Sequence, residues 1–165
     1  MDDRTRTTRF ALAAGQGDQA AAAAFIRATQ QQVWRFIAHL AGPNEADDLT
    51  QETYLRALRS LPTFTAGSSA HTWLFVIARR VVIDHHRAGA ARPQPAGLLD
   101  QLPPERREAF VATQILGLSY AEAAEVCGCP VGTIRSRVAR VRADLVAAVN
   151  GRPLPARRNP GSTAG

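Results

Sequence analysis

Wound at about 100° per residue, the stretch from Val131 or Thr133 to Ala148 gathers Ile134, Val138, Val141 and Leu145 into a sector of about 60°. The opposite side carries Arg135, Ser136, Ala139 and Arg140. Such a side can read the major groove of DNA. Arginine pairs bidentately with guanine, serine offers a small hydroxyl, and alanine allows close approach or meets a thymine methyl. Arg137 and Arg142 fall on the flanks, where phosphate is the natural partner. The preceding residues supply the support a groove reader requires. Ser119 with Glu122 spells a capping box for a short helix from Tyr120 to Cys127, and Gly128-Cys129-Pro130 makes a tight turn. Two helices joined by such a glycine-containing turn form a helix-turn-helix.

Other residues suggest different chemistry and lack the company to perform it. Cys127 and Cys129 bracket the turn, but His39, His71, His85 and His86 lie far along the chain, so no zinc site assembles and the thiols read as buried structural groups. Asp84-His85-His86 spells the opening of a phosphoesterase metal motif, and Asp47-Asp48 could be imagined as further ligands. Such enzymes draw additional acids from strand ends, and this chain has no strand pattern. The expectation is no catalytic residue, no metal and no cofactor.

Composition agrees with a nucleic-acid partner. The chain has 165 residues, 45% apolar and 21% charged, with net charge +6 and an isoelectric point near 10.8. That is a folding composition, large enough for one domain or two small ones. Every basic residue is arginine, and the charge comes in blocks. Residues 1–60 balance 7 Arg against 7 acids, 61–97 carry 4 against 1, 98–128 carry 2 against 5, and 129–165 carry 7 against 1. Two separated basic patches suggest two nucleic-acid contacts, with other surfaces left for protein. The longest apolar run, Ala20 to Ile26, is far short of the ~20 residues of a membrane span. The acidic start Met1-Asp2-Asp3 is unlike a secretory signal, so a cytoplasmic protein without membrane insertion is expected.

The elements that must position these groups are helical throughout. Residues 1–19 read as a flexible N-terminal tail, 20–88 as one helical domain, 89–97 as a linker rich in Gly and Pro, 98–149 as a second helical domain, and 150–165 as a disordered basic tail. In the first domain Phe25, Thr29, Val33, Phe36, Ile37 and Leu40 form one stripe, stopped at Gly42-Pro43-Asn44. A second helix from about Glu45 to Leu61 carries Leu49, Leu55, Leu58 and Leu61, and a third carries Trp73, Leu74, Ile77, Ala78, Val81 and Val82. Trp73, beside Ile77, is expected in the core. In the second domain Phe110, Ile115 and Leu116 mark a helix ending at Gly117. The fold class is all-α.

Four stretches in order carry a family resemblance. Asp47-Asp48-Leu49-Thr50-Gln51-Glu52-Thr53-Tyr54-Leu55-Arg56-Ala57-Leu58, then Thr72-Trp73-Leu74-Phe75-Val76-Ile77-Ala78-Arg79-Arg80 with Asp84 and Arg87, then Gly117-Leu118-Ser119-Tyr120-Ala121-Glu122-Ala123-Ala124, then Pro130-Val131-Gly132-Thr133-Ile134-Arg135-Ser136-Arg137, resemble the extracytoplasmic-function sigma factors of bacteria. The resemblance implies a promoter-specificity subunit of RNA polymerase with no enzymatic activity of its own. Its two helical DNA-binding domains, regions 2 and 4, would be residues 20–88 and 98–149. The implied partners are core RNA polymerase and promoter DNA, with an anti-sigma protein left open.

The resemblance assigns Asp48, Gln51 and Glu52 to the grip on the core polymerase. They stand at i, i+3 and i+4, so one helix face offers two carboxylates and an amide to a basic partner. Phe64, Ser68, Ser69, Arg79, Arg80 and Arg87 resemble the element that melts and reads the minus-ten sequence, where an unstacked base needs an aromatic surface and the strand needs cations. Thr133, Arg135, Ser136, Arg137, Ala139, Arg140 and Arg142 fall in the minus-thirty-five reader. Arg79-Arg80 replaces the common Arg-Asn of the family, which bears on the base preferred. Only about ten residues separate Arg87 from Leu98, without the additional helix usual there, so the tether should be taut, reaching about 35 Å, and promoter spacing narrowly tolerated. The competing reading is a helix-turn-helix regulator that binds duplex DNA without polymerase.

Overall fold

The computed structural model describes residues 1–89 and 97–154. Seven α-helices, and no strand, occur among them: α1 (Asp3–Gly15), α2 (Gln19–Ala41), α3 (Pro43–Ser60), α4 (Ala70–Arg87), α5 (Pro104–Phe110), α6 (Tyr120–Cys127) and α7 (Val131–Val149). Short 3-10 turns occupy Leu61–Thr63 and Leu99–Gln101, and α5 runs on into a π-helical turn at Val111–Ile115. The chain divides into two compact units, residues 1–93 with 125–128 and residues 94–124 with 129–165. The expected linker, Gly89 and Gly97 apart, and the tail beyond residue 154 lie outside the described residues.

In the first unit α2, α3 and α4 start where the sequence supplies a capping acceptor or a break. The Asp18 carboxylate accepts the Ala21 N–H at 3.0 Å and caps α2. Gly42 adopts φ 97°, ψ 153°, a backbone that side chains resist, and Pro43 occupies the first turn of α3. The second helix therefore begins two residues before the expected Glu45. Phe25, Val33, Phe36, Ile37 and Leu74 are fully buried and Phe75 nearly so. Burying each of these larger side chains contributes about 2–3 kcal/mol. The Phe36 and Phe75 rings meet edge to face at 5.2 Å, tying α2 to α4. Across α2 and α3 the Tyr54 hydroxyl meets Thr29 Oγ1 at 2.7 Å, while Thr29 donates to the Phe25 carbonyl. Burial pushes the Tyr54 phenol up to about 12, against a smaller lowering by the Thr29 bond.

Two expectations for this unit are corrected, and the apolar positions of α3 are sorted into buried and exposed ones. Residues 3–15, taken as flexible tail, form α1, which packs on α2 and α4. Its buried residues are Thr7 and Ala11, small side chains that leave no large apolar stripe to read. Leu55 and Leu58 are exposed, because the buried arc of α3 is carried by Ala46, Leu49, Thr53, Tyr54 and Ala57. Trp73 and Ile77 are only half-buried, since the core side of α4 runs through Ala70, Leu74, Phe75, Ala78, Val81 and Val82.

The second unit closes around Leu102, Val111, Ala112, Ile134, Val138 and Val141, with Leu145 half-buried. Phe110, Ile115 and Leu116 are half-buried too; the wider π turn rotates the register, so Val111 and Ala112 take the inner side. Arg107 is buried and donates to the carbonyls of Asp100 and Leu102, both at 3.3 Å, fastening α5 to the turn before it. Arg106 and Asp144 bridge α5 and α7 at 3.0 Å. The start of the expected disordered tail is ordered: Gly151 has φ 78° and the Arg152 N–H returns to the Ala147 carbonyl at 2.9 Å, capping α7.

Candidate nucleic-acid interface

The helix-turn-helix is built from reciprocal caps. Ser119 Oγ accepts the Glu122 N–H at 3.1 Å, and the Glu122 carboxylate accepts the Ser119 N–H at 2.7 Å, so α6 starts with the expected capping box. Gly128 at φ 65° turns the chain, and the Cys129 N–H reaches the Ala124 carbonyl at 3.1 Å. With Ile134, Val138 and Val141 buried, α7 presents Arg135, Ser136, Ala139 and Arg140 outward, all exposed. Arg135 and Arg140 make no hydrogen bond or ion pair among the described residues, so their donors face water. The flank is different. Arg142 donates to Gln114 Oε1 at 2.9 Å and half-buried Arg137 approaches Cys129 Sγ at 3.8 Å, while Ser136 Oγ donates to the Thr133 carbonyl at 3.2 Å. Thr133 itself is half-buried. Free guanidinium forks in the middle and tethered ones beside them suit base reading and backbone contact respectively.

In the first unit the loop between Thr63 and Ala70 carries an aromatic pair. Phe64 and Trp73 lie with ring centroids 5.0 Å apart, tilted by 46°, and both are half-buried. Sequence reasoning placed Trp73 in the core; instead it extends the surface of Phe64. Ala66 holds φ 56°, a left-handed conformation that costs a residue with a Cβ about 1–2 kcal/mol. Ser69 is the N-cap of α4, accepting the Thr72 N–H at 3.2 Å and sharing a hydrogen bond with Thr72 Oγ1 at 3.0 Å. Its hydroxyl is thus spent on the helix, whereas Ser68 is half-buried in the loop. Arg80 and Arg87 are exposed two turns apart on one side of α4, and Arg79 is half-buried to the side. The structure does not bring Arg87 to Phe64: the helix separates it from the loop by about 25 Å of axial rise.

The third predicted group lies on α3. Asp48 and Gln51 are exposed and Glu52 half-buried. Glu52 Oε1 accepts Arg56 Nε at 2.8 Å, and Arg56 Nη1 also reaches Asp84 of α4 at 2.7 Å. Asp84, then Glu52, hold the Arg56 guanidinium above its ordinary range. The residues that sequence reasoning missed are Leu55 and Leu58, 51% and 38% exposed. They share the outward arc with Asp48 and Gln51 and, with Ile26 and Tyr54, line a shallow groove of about 360 Å³. Placing the helical wheel on Ala46, Leu49, Thr53 and Ala57 would have exposed them. Trp34 Nε1 donates to Asp47 at 2.7 Å along the same side of α2 and α3.

The remaining candidates do not assemble a metal centre. Asp84 is engaged by Arg56, His85 Nε2 lies 3.6 Å from Glu45, and no cluster of three or more metal-binding side chains occurs among the described residues. Cys127 is buried, Cys129 is half-buried, and neither forms a disulfide among the described residues. No helix among the described residues is long and apolar enough to cross a membrane.

Comparison with known proteins agrees with this layout. Residues 25–92 match the family described as Sigma-70 region 2, and residues 96–145 match Sigma-70, region 4. The ECF RNA polymerase sigma factor SigC of Mycobacterium tuberculosis is 50% identical over 88% of this chain and 92% of its own length. Among solved structures, CnrH in complex with the cytosolic domain of CnrY superposes with a TM-score of 0.79 at 26% identity, covering 90% of this chain and 99% of that one. The sigma factor RpoE of Bartonella quintana, in complex with the anti-sigma factor NepR, gives 0.67 at 29% identity over 76% and 94%.

Proposed function

The chain belongs to the extracytoplasmic-function sigma factors of the sigma-70 family, and from that premise we propose how its surfaces divide the work of starting transcription. The protein binds core RNA polymerase and directs promoter-specific initiation. Asp48, Gln51 and Glu52 on α3 grip the core enzyme, with Leu55 and Leu58 adding apolar area beside them. The Phe64 loop, Ser68, Ser69 and the α4 arginines Arg79, Arg80 and Arg87 capture the opened minus-ten element. Thr133, Arg135, Ser136, Arg137, Ala139, Arg140 and Arg142 engage the minus-thirty-five duplex, with Arg135 and Arg140 reading bases and Arg137 and Arg142 holding phosphate. The two DNA-binding domains are residues 20–88 and 98–149, extended at the front by α1. The protein supplies recognition and leaves catalysis to the polymerase.

The observation that carries this reading is the aromatic pair Phe64–Trp73 on a strained loop that opens onto an arginine-bearing helix. A stand-alone duplex-binding regulator has no use for a surface suited to unpaired bases. The Bartonella quintana relative is held by an anti-sigma factor, and we extend a partner of that kind to this chain. The test is transcription in vitro with core enzyme and genomic DNA. Start sites that appear only with both components support the proposal; tight, sequence-specific duplex binding without core polymerase would favour the regulator.

A further inference from the structure

The loop of residues 64–69 leaves the helical scaffold at Leu61–Thr63 and rejoins it at Ala70. Both ends are fastened to α1. At the far end, the N–H of Ala70 is the first of the α4 donors that have no partner within their own helix. Ser69 does not serve it; its hydroxyl accepts the Thr72 N–H instead. Thr8 Oγ1 does, at 3.1 Å, while donating its own proton to the Arg4 carbonyl at 2.9 Å. At the near end, Gly15 lies so close to the 3-10 turn that a Cβ on it would stand 2.5 Å from the Leu61 carbonyl oxygen and 3.0 Å from its carbon. Only glycine permits that approach. Between these anchors Ala66 holds its left-handed conformation, which persists only where the surroundings over-determine it.

We infer that α1 is a brace for the minus-ten loop, with Thr8 and Gly15 as positioning residues that fix its two ends in the geometry that captures an unpaired base. The inference rests on the reading of the loop as the minus-ten element reader. Through these two anchors the N-terminal helix bears on promoter discrimination. Fixing the ends matters because a loop whose ends are free spends binding energy on being ordered.

The test uses full-length variants assembled with core polymerase. The probe is a fluorescent single-stranded oligonucleotide carrying the non-template minus-ten sequence of a mapped promoter, compared with a scrambled one. Thr8→Val keeps the side-chain shape and deletes the acceptor. It is expected to reduce the preference for the matched oligonucleotide about fivefold, the effect of one hydrogen bond. Thr8→Ser restores the preference to within about twofold, and affinity for core polymerase is unchanged. Gly15→Ala is expected to reduce the preference as well; should it fail to fold, Thr8→Val carries the test. Amide hydrogen exchange of residues 65–72 should quicken in Thr8→Val. If Thr8→Val keeps full discrimination while Phe64→Ala loses it, the brace is wrong and the loop reading stands. If Phe64→Ala also keeps it, the loop reading fails and the brace with it.

Discussion

Arg56 stands between the proposed polymerase grip and the helix that carries the minus-ten arginines, which makes Arg56→Met an informative perturbation. The guanidinium bonds Glu52 at 2.8 Å and Asp84 at 2.7 Å. Buried, two such charge-assisted bonds would be worth several kcal/mol. Here the side chains of Arg56, Glu52 and Asp84 are 35%, 42% and 44% exposed, so solvent reduces each pair to the surface range of about 0.2–1 kcal/mol. The expected loss of folding stability is about 1 kcal/mol, or roughly 5 °C in melting temperature for a unit of this size. The effect on polymerase capture is separate. Arg56 holds Glu52 in one rotamer ahead of binding, and ordering a free side chain at an interface costs about 0.5–1.5 kcal/mol. Arg56→Met should therefore weaken affinity for core polymerase about two- to tenfold, and the loss should shrink when Glu52 is already Gln. Fluorescence titration of labelled core enzyme against the four members of that double-mutant cycle measures both numbers. Arg56→Met binding core as tightly as the parent, or more tightly, would refute the reasoning, because Arg56 would then compete with the polymerase for Glu52.

Arg135→Ala and Arg140→Ala should each cost about 1–3 kcal/mol and relax preference at one base pair of the minus-thirty-five element, whereas Arg142→Ala, already tethered by Gln114, should weaken all sequences alike and by less. Holoenzyme binding to a panel of single-base promoter variants separates the two patterns, and equal loss at every site from all three changes would rule out groove reading. Tyr54 predicts an alkaline weakness. Its phenol titrates at about 12 in the fold and near 10 when unfolded, so the folded state binds more protons in between and stability falls as pH rises from about 10 to 12. Chemical denaturation across that window should show the fall in the parent and a shallower one in Tyr54→Phe. Ala66→Gly relieves the left-handed backbone and should raise the melting temperature by a few degrees while lowering discrimination at minus-ten, since glycine frees the loop it relaxes.

What the sequence disclosed depended on how much information one helix carries about itself. The capping box at Ser119–Glu122, the glycine turn at Gly128 and the buried line Ile134, Val138 and Val141 are local, and each appears in the structure as its spacing foretold. Helices whose inner face is made of small or polar side chains were harder. The stripe of α1 is Thr7 and Ala11, and that of α3 runs through Ala46, Thr53 and Ala57, so large apolar residues elsewhere on the wheel misdirected the assignment. Leu55 and Leu58, which spacing marked only as apolar positions, are the most exposed leucines of that helix. Contacts between distant residues left no trace in spacing at all. Nothing near Arg56 announces Asp84, and nothing near Thr8 announces Ala70.

Those long-range contacts share one feature that bears on how initiation is controlled. Each joins a residue proposed to recognise a macromolecule, or the loop containing one, to a different helix of the same unit. Glu52 is linked through Arg56 to Asp84, which stands between Arg80 and Arg87 on α4; the Phe64 loop is linked through Ala70 to Thr8 and through Leu61 to Gly15. Polymerase cations sharing the Glu52 carboxylate would leave more of the Arg56 charge for Asp84, and so make the field around the α4 arginines more favourable to phosphate without moving the backbone. On the proposed function the free protein should bind DNA weakly and the holoenzyme firmly, and this coupling would supply the difference without a large rearrangement. Asp84→Asn isolates this link: it should bring the minus-ten affinity of the free protein closer to that of the holoenzyme. If oligonucleotide binding by Asp84→Asn remains as dependent on core polymerase as in the parent, the Arg56 network does not couple the two surfaces.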